Sequence, residues 1–160
     1  MRLNHLFLAA LMFASAPVFA DNVIFIARHA DKVDGPDPVL STQGEARAAQ
    51  LAKMLAKASI QTIYSTDTKR TKGTAAPIAA NLALPVQTYD PRKQADLATH
   101  LKTLKGNTLV IGHSNTITDL VRQLGGDPGA DNPESEYGRV YQVILHGDGR
   151  TTTILLTAQP

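Results

Sequence analysis

The stretch VIFIARHADK, residues 23–32, decides how the rest of the chain reads. Its first five residues are apolar without interruption and rich in β-branched side chains. That is the pattern of a strand buried on both faces, as in parallel sheets covered by helices. Arg28 and His29 come next, with nothing between them and the strand. A permanent cation beside an imidazole, at the end of a buried strand, calls for a shared negative partner, either structural or bound.

The flanking sequence supplies the other layers. Residues 34–38, Asp-Gly-Pro-Asp-Pro, break any regular pattern. Thr42 and Glu45 have capping-box spacing, which predicts a helix from residue 42 to about 58 with Ala48, Leu51, Ala52 and Leu55 on one face. A strand is expected at 62–65. A helix is expected at 68–82, where Pro77 predicts a kink or a late regular start. Strand 85–88, a helix that contains 97–104, strand 107–112 (NTLVIG) and helix 115–124 come next, the last stopped by Gly125-Gly126-Asp127-Pro128. Strands 140–145 and 151–156 flank HGDGR, a hairpin signal. Strands alternating with helices predict an α/β fold: a three-layer α/β/α sandwich whose mostly parallel sheet gains an antiparallel edge from the closing hairpin.

The chain has 160 residues, of which 43% are hydrophobic and 19% charged, enough for one domain with its own core. Net charge is +2, with Lys and Arg dispersed rather than blocked, so no nucleic-acid partner is expected. Residues 1–20 differ from the rest. Arg2 and His5 precede an apolar run at 6–14, and Val18 and Ala20 have the small-residue spacing of a cleavage site. This is the layout of a secretory signal peptide, and the run is too short for an anchor. Cleavage after Ala20 leaves a single domain over 21–160, periplasmic or secreted, with no stable membrane anchor. The chain has no cysteine, which excludes disulfides, thiol catalysis and cysteine-bound metals, and suits an oxidising compartment.

In open α/β sheets ligands bind beyond the carboxyl ends of the strands. There the sequence puts Arg28 and His29 after the first strand, Arg70 shortly after the second, Asp90 after the third and His113 after the fourth. Two arginines can hold and neutralise a phosphoryl group through paired N–H donors at any working pH. A neutral histidine can attack phosphorus, and flanking arginines favour the neutral imidazole. GHSN lacks the glycines of a serine-hydrolase elbow, so no serine competes as nucleophile. His100 and His146 are read as surface residues.

ARHA, LSTQGEARA, YSTDTKRTKGTA and VIGHSN occur in an order that resembles the histidine phosphatase superfamily, in its phosphoglycerate mutase-like branch. NTITDLVRQLGG and GRVYQVIL extend the likeness to about residue 143. The resemblance implies a phosphoglycerate mutase-like fold and hydrolysis of phosphomonoesters or phosphohistidine through a covalent phosphohistidine. His29 is the implied nucleophile, Arg28 and Arg70 the phosphate clamps, and His113 the second histidine of the phosphate pocket. No metal or organic cofactor is implied. The partner would be a phosphorylated small molecule, surface glycolipid or protein.

Two departures narrow the reading. Ala30-Asp31-Lys32 replaces the segment that follows the nucleophile in the family's mutases, and Ser114 stands where the superfamily's other branch has an acid. The general acid is expected after the third strand. Asp90 is the better candidate there and Asp96 the other, with Asp31 a third possibility. Asp90 before Pro91 also fits a turn residue. The segment between Arg70 and His113 is too short for a large lid, which suits a bulky substrate. A non-catalytic phosphate-binding protein of the same fold is the rival reading, and a mutase the more distant one.

Overall fold

In a computed structural model, which describes residues 21–159, the elements run β1 (Asn22–Arg28), α1 (Thr42–Met54), β2 (Ile60–Ser65), α2 (Lys69–Leu82), β3 (Val86–Thr88), α3 (Gln94–Thr103), β4 (Asn107–Gly112), α4 (Ser114–Gln123), β5 (Arg139–Leu145) and β6 (Thr151–Thr157). The expected leader at 1–20 lies outside the described residues. The strands form one six-stranded sheet in the order β3-β2-β4-β1-β5-β6. Pairing is parallel from β3 to β1 and antiparallel at β1–β5 and β5–β6. The expected mixed sheet with a hairpin edge is thus the observed one.

The apolar run of β1 splits by alternation. Ile24 and Ile26 join Val110 of β4 and Tyr141 and Val143 of β5 beneath Leu101 of α3 and Ile117, Leu120 and Val121 of α4. Phe25 and Ala27 face the other way, with Ile63, Leu109 and Ile111, beneath Leu51 of α1, Leu55 at its C-cap, and Ala75 and Ile78 of α2. Two helices therefore cover each face, giving three layers. Ile24, Ile26, Ile63, Leu109 and Ile111 have no exposed surface. Truncating any of them to Ala costs about 2–5 kcal/mol, so the strand ends rest on a stiff platform.

Several boundaries differ from the pattern-based expectation. The cap of α1 is Ser41, whose Oγ accepts the Gly44 N–H at 3.2 Å, while the Glu45 N–H donates to the Ser41 carbonyl at 2.8 Å. The expected Thr42–Glu45 box is therefore not formed: the cap lies one residue earlier, and Gly44, three residues on, has no side chain to reach back. Gly44 is buried against the backbone of Asp31, where a Cβ would lie 1.9 Å from the Asp31 carbonyl oxygen, so only glycine permits this approach. α1 ends at Met54 rather than near 58, and Ser59, at φ 51°, turns the chain into β2. α2 continues through Pro77. α3 begins at Gln94 behind Lys93, which makes no side-chain cap bond, so no capping signal marks that start.

Register sets the site. Arg28 pairs with Gly112, and Ser65 with both Ile111 and Thr88. The four parallel strands thus end level, and His29, Thr66, Tyr89 and His113 leave the sheet at one edge.

Candidate active site

His29 is the first residue beyond β1, and its backbone N–H donates to the Gly112 carbonyl at 2.9 Å, continuing the ladder by one bond. The side chain is buried, and the residue as a whole is 3% exposed. Its Nδ1 lies 2.9 Å from the Ala30 carbonyl. A carbonyl only accepts, so Nδ1 carries the proton of the neutral ring and Nε2 carries the free lone pair. Burial above all, then Arg28, Arg70 and His113, pulls the His29 pKa down to about 4, against the opposing Ala30 bond. The imidazole is neutral at pH 7, the state a nucleophile needs.

His113 occupies the equivalent place beyond β4. Its Nε2 lies 3.1 Å from Thr66 Oγ1, and its Nδ1 is 3.5 Å from Arg70 Nη2. Arg70 can only donate, so Nε2 carries the proton and donates to Thr66. Burial, Arg70 and Arg28 lower its pKa to about 4, partly offset by Glu134. The two imidazole centroids are 5.5 Å apart. Gly112, the last residue of β4, would bring a Cβ within 2.9 Å of the Tyr89 hydroxyl and 3.0 Å of Thr116 Oγ1, so the α4 entry closes tightly around it.

Arg70 sits on the first turn of α2, whose cap is Thr68. Thr74, one turn on, donates to the Arg70 carbonyl at 2.8 Å and accepts the Ala30 N–H at 2.9 Å. One hydroxyl therefore ties the helix carrying Arg70 to the loop carrying His29. Thr66 donates to Thr71, which donates onward to backbone carbonyls, so the bond to His113 ends in a fixed chain of hydroxyls.

Arg28 is 3% exposed. Its Nη1 donates to the carbonyls of Glu134 and Glu136 at 2.8 and 3.0 Å, its Nη2 pairs with Glu134 Oε2 at 2.7 Å, and Tyr137 stacks 4.2 Å from Cζ. The residue expected as a phosphate clamp thus also organises the loop before β5. The Nε atoms of Arg28 and Arg70 are both buried without a hydrogen-bond partner among the described residues. An unmet N–H costs about 1–3 kcal/mol, more on a cation. Two guanidiniums close enough to lower the pKa of both imidazoles are an arrangement that can hold an oxyanion.

The structure therefore gathers Arg28, His29, Arg70 and His113, and puts Asp90 in the cleft that adjoins His113. Asp90 lines this cleft of about 440 Å³ with Thr66, Thr68, Tyr89 and His113, but both its carboxylate oxygens bind the Arg92 guanidinium at 3.0 Å. Those bonds hold its pKa down to about 2. Burial disfavours the charge on Asp31, yet Arg47, at 2.7 Å, keeps its carboxyl below the ordinary value. Asp96 is exposed on α3. His100 bonds Tyr64, and His146 bonds Asp21 and Thr152, both away from the site. Among the described residues no cluster of His, Cys, Asp or Glu is gathered as a metal site, and no helix is long and apolar enough to cross a membrane.

Glu134 and Tyr137 are site residues that the sequence pattern does not announce. They lie more than a hundred residues from Arg28 in a loop without periodicity. Thr66 and Thr74 sit within the YSTDTKRTKGTA motif, and their polarity close to Arg70 is the signal that could have found them.

Residues 24–92 match the model of the histidine phosphatase superfamily (branch 1). No match was found among curated proteins. Among solved structures, the protein histidine phosphatase SixA complexed with tungstate is similar at 23% identity, with 85% of this chain and 97% of that one covered at a TM-score of 0.68. A phosphoserine phosphatase from Entamoeba histolytica shares 15% identity, over 87% and 97% of the two chains, with a TM-score of 0.64. A phosphoglycerate mutase from Plasmodium falciparum shares 18% identity, over 89% and 94%, with a TM-score of 0.58. The family match thus runs from β1 past β3, over less than half of the chain, and the fold as a whole, through β4 and the closing hairpin, is shared with these solved structures.

Proposed function

We propose that this protein is an exported, cofactor-independent phosphatase that hydrolyses phosphomonoesters or phosphohistidine through a phosphohistidine on His29. The observation that carries the reading is the pair of arginines, Arg28 and Arg70, close to a neutral imidazole whose Nδ1 is held by Ala30. Nε2 of His29 attacks phosphorus as the ester P–O bond breaks and its electron pair leaves with the alcohol oxygen. Arg28 and Arg70 hold the equatorial oxygens, and His113 gains a second proton as negative charge builds and stabilises the phosphoryl group as an imidazolium. Water then attacks the phosphohistidine, the P–N pair returns to Nε2, and inorganic phosphate leaves. The apolar leader and the lack of cysteine support a periplasmic or secreted address. The open cleft beside His113 leaves room for a bulky substrate.

The test uses residues 21–160 and an aryl phosphate, with and without chelator, in wild type and His29→Ala. Expected are chelator-insensitive turnover, its loss in the variant, and an acid-labile phosphoryl label on wild-type His29. Turnover that survives in His29→Ala, or needs a metal, overturns the mechanism. Phosphate binding without label favours the rival, a phosphate-binding protein whose Asp90 is tied up by Arg92.

A further inference from the structure

Glu134 is the one carboxylate near the site, among the described residues, whose cationic partner is itself a phosphate clamp. Asp90 is held by Arg92, Asp31 by Arg47 and Asp67 by Lys72. Glu134 Oε2 instead takes Arg28 Nη2 at 2.7 Å, while Oε1 accepts the Ser114 hydroxyl. The Glu134 backbone is fixed, because Arg28 Nη1 also holds its carbonyl at 2.8 Å. Its side chain faces solvent: it is 81% exposed, against 2% for that of Arg28. A tethered backbone under a solvent-facing carboxylate lets the side chain leave Arg28 without disturbing the loop.

The surroundings of Glu134 determine its response to an arriving substrate. Arg28 reaches Glu134 from β1, Ser114 from the start of α4, and the rings of His29 and His113, neutral in the free protein, lie close enough to interact with it if protonated. The adjoining groove is lined by Asp119, Arg122 and Asp131, with Arg122 spanning the two aspartates. In the free protein, the Ser114 bond and then Arg28 keep the Glu134 carboxyl below its ordinary pKa, so it is charged. A phosphate dianion seated on Arg28 takes away that cation and sets negative charge beside the carboxylate. Both changes favour the protonated acid.

Resting on the phosphatase reading, we propose that Glu134 is the proton donor to the leaving group, displaced from Arg28 and protonated by the arrival of the substrate phosphate. On binding, Glu134 takes one proton from solvent. As His29 attacks and the P–O bond breaks, the departing oxygen takes that proton and leaves as the alcohol. In the second step Glu134, now carboxylate, takes a proton from the water whose oxygen attacks phosphorus. It returns this proton to solvent when phosphate leaves and Arg28 is paired again. The sum is ester plus water to alcohol plus phosphate.

The test compares an aryl phosphate, whose leaving group needs no acid, with an alkyl phosphate, whose leaving group does. Wild type, Glu134→Gln and Asp90→Asn are assayed as residues 21–160, with folding checked by thermal melting. Glu134→Gln is expected to lower kcat on the alkyl ester by about 100-fold or more and on the aryl ester by no more than about threefold, and to abolish the basic limb of the alkyl pH profile. Asp90→Asn is expected to change the two rates by the same factor, because Asp90 lines the cleft without donating a proton. Equal losses on both esters in Glu134→Gln, or no loss on either, overturn the assignment, as does a selective loss in Asp90→Asn. Absence of His29-dependent turnover in wild type overturns the phosphatase reading together with this one; His29-dependent turnover with any of the preceding results overturns this one alone.

Discussion

A buried histidine kept neutral must destabilise the fold in acid, and the size of that effect comes from its surroundings. The His29 pKa stands at about 4 in the native chain against an ordinary 6.5. Between those values the unfolded chain binds a proton at this position that the native chain refuses. The resulting stability is present in full above 6.5, falls as pH drops through the window, and is lost completely below about 4. The whole interval corresponds to about 3 kcal/mol, of which about 2 kcal/mol is lost by about pH 5. Urea melts of wild type and His29→Asn, in buffer free of phosphate, measure it. Other titrating groups cancel in the difference between the two proteins, apart from the coupling to His113. That difference is expected to shift by about 2 kcal/mol against wild type between about pH 8 and pH 5. Parallel stability curves, agreeing within about 0.5 kcal/mol, would refute the reasoning. His29 would then titrate near its ordinary value, and a substantial fraction would be cationic, unable to attack phosphorus, in mildly acidic solution.

Two further substitutions probe how the site is held. Thr74→Val removes the hydroxyl shared by the Arg70 carbonyl and the Ala30 N–H, leaving the latter unmet next to His29. It should cost about 1–3 kcal/mol in denaturant melts and also lower kcat, and an unchanged melt would discard the tie between helix and loop. Gly44→Ala forces a Cβ to within 1.9 Å of the Asp31 carbonyl, a backbone atom that cannot turn aside. A loss of about 1–3 kcal/mol is expected by thermal melting, and wild-type stability would mean that α1 does not lie this close to the loop after His29.

Legibility in the sequence tracks the range of the interactions involved. The β4 strand matches its expected bounds at residues 107–112, because an uninterrupted apolar run between polar ends is a local signal. The start of α3 at Gln94 has no expected counterpart, since the sequence reads only as a helix containing 97–104 and Lys93 offers no side-chain cap to mark the start. The α1 cap falls one residue before the expected one because Ser41 and Thr42 are adjacent hydroxyls, and the tight seat of Gly44 on Asp31 selects between them. At the site, Arg28, His29, Arg70 and His113 are readable because each comes after a strand that ends at the same sheet edge. The employment of Asp90 is not readable: its two-residue contact with Arg92 is short in sequence, but the Asp-Pro turn that makes it has many geometries.

The sequence alone carried the α/β order, the parallel core of the sheet, the hairpin edge and the residues that crowd the strand ends. These come from local periodicity and from the rule that level parallel strands deliver their next residues to one side. Tertiary structure decided how those residues are used. Burial between two helical layers makes both histidines neutral, a carbonyl one residue on selects the Nε2 lone pair of His29, and a loop more than a hundred residues away brings Glu134 and Tyr137 onto Arg28. Charge state and partner depend on desolvation and on distances across the fold. Neither quantity is written in any local stretch of VIFIARHADK.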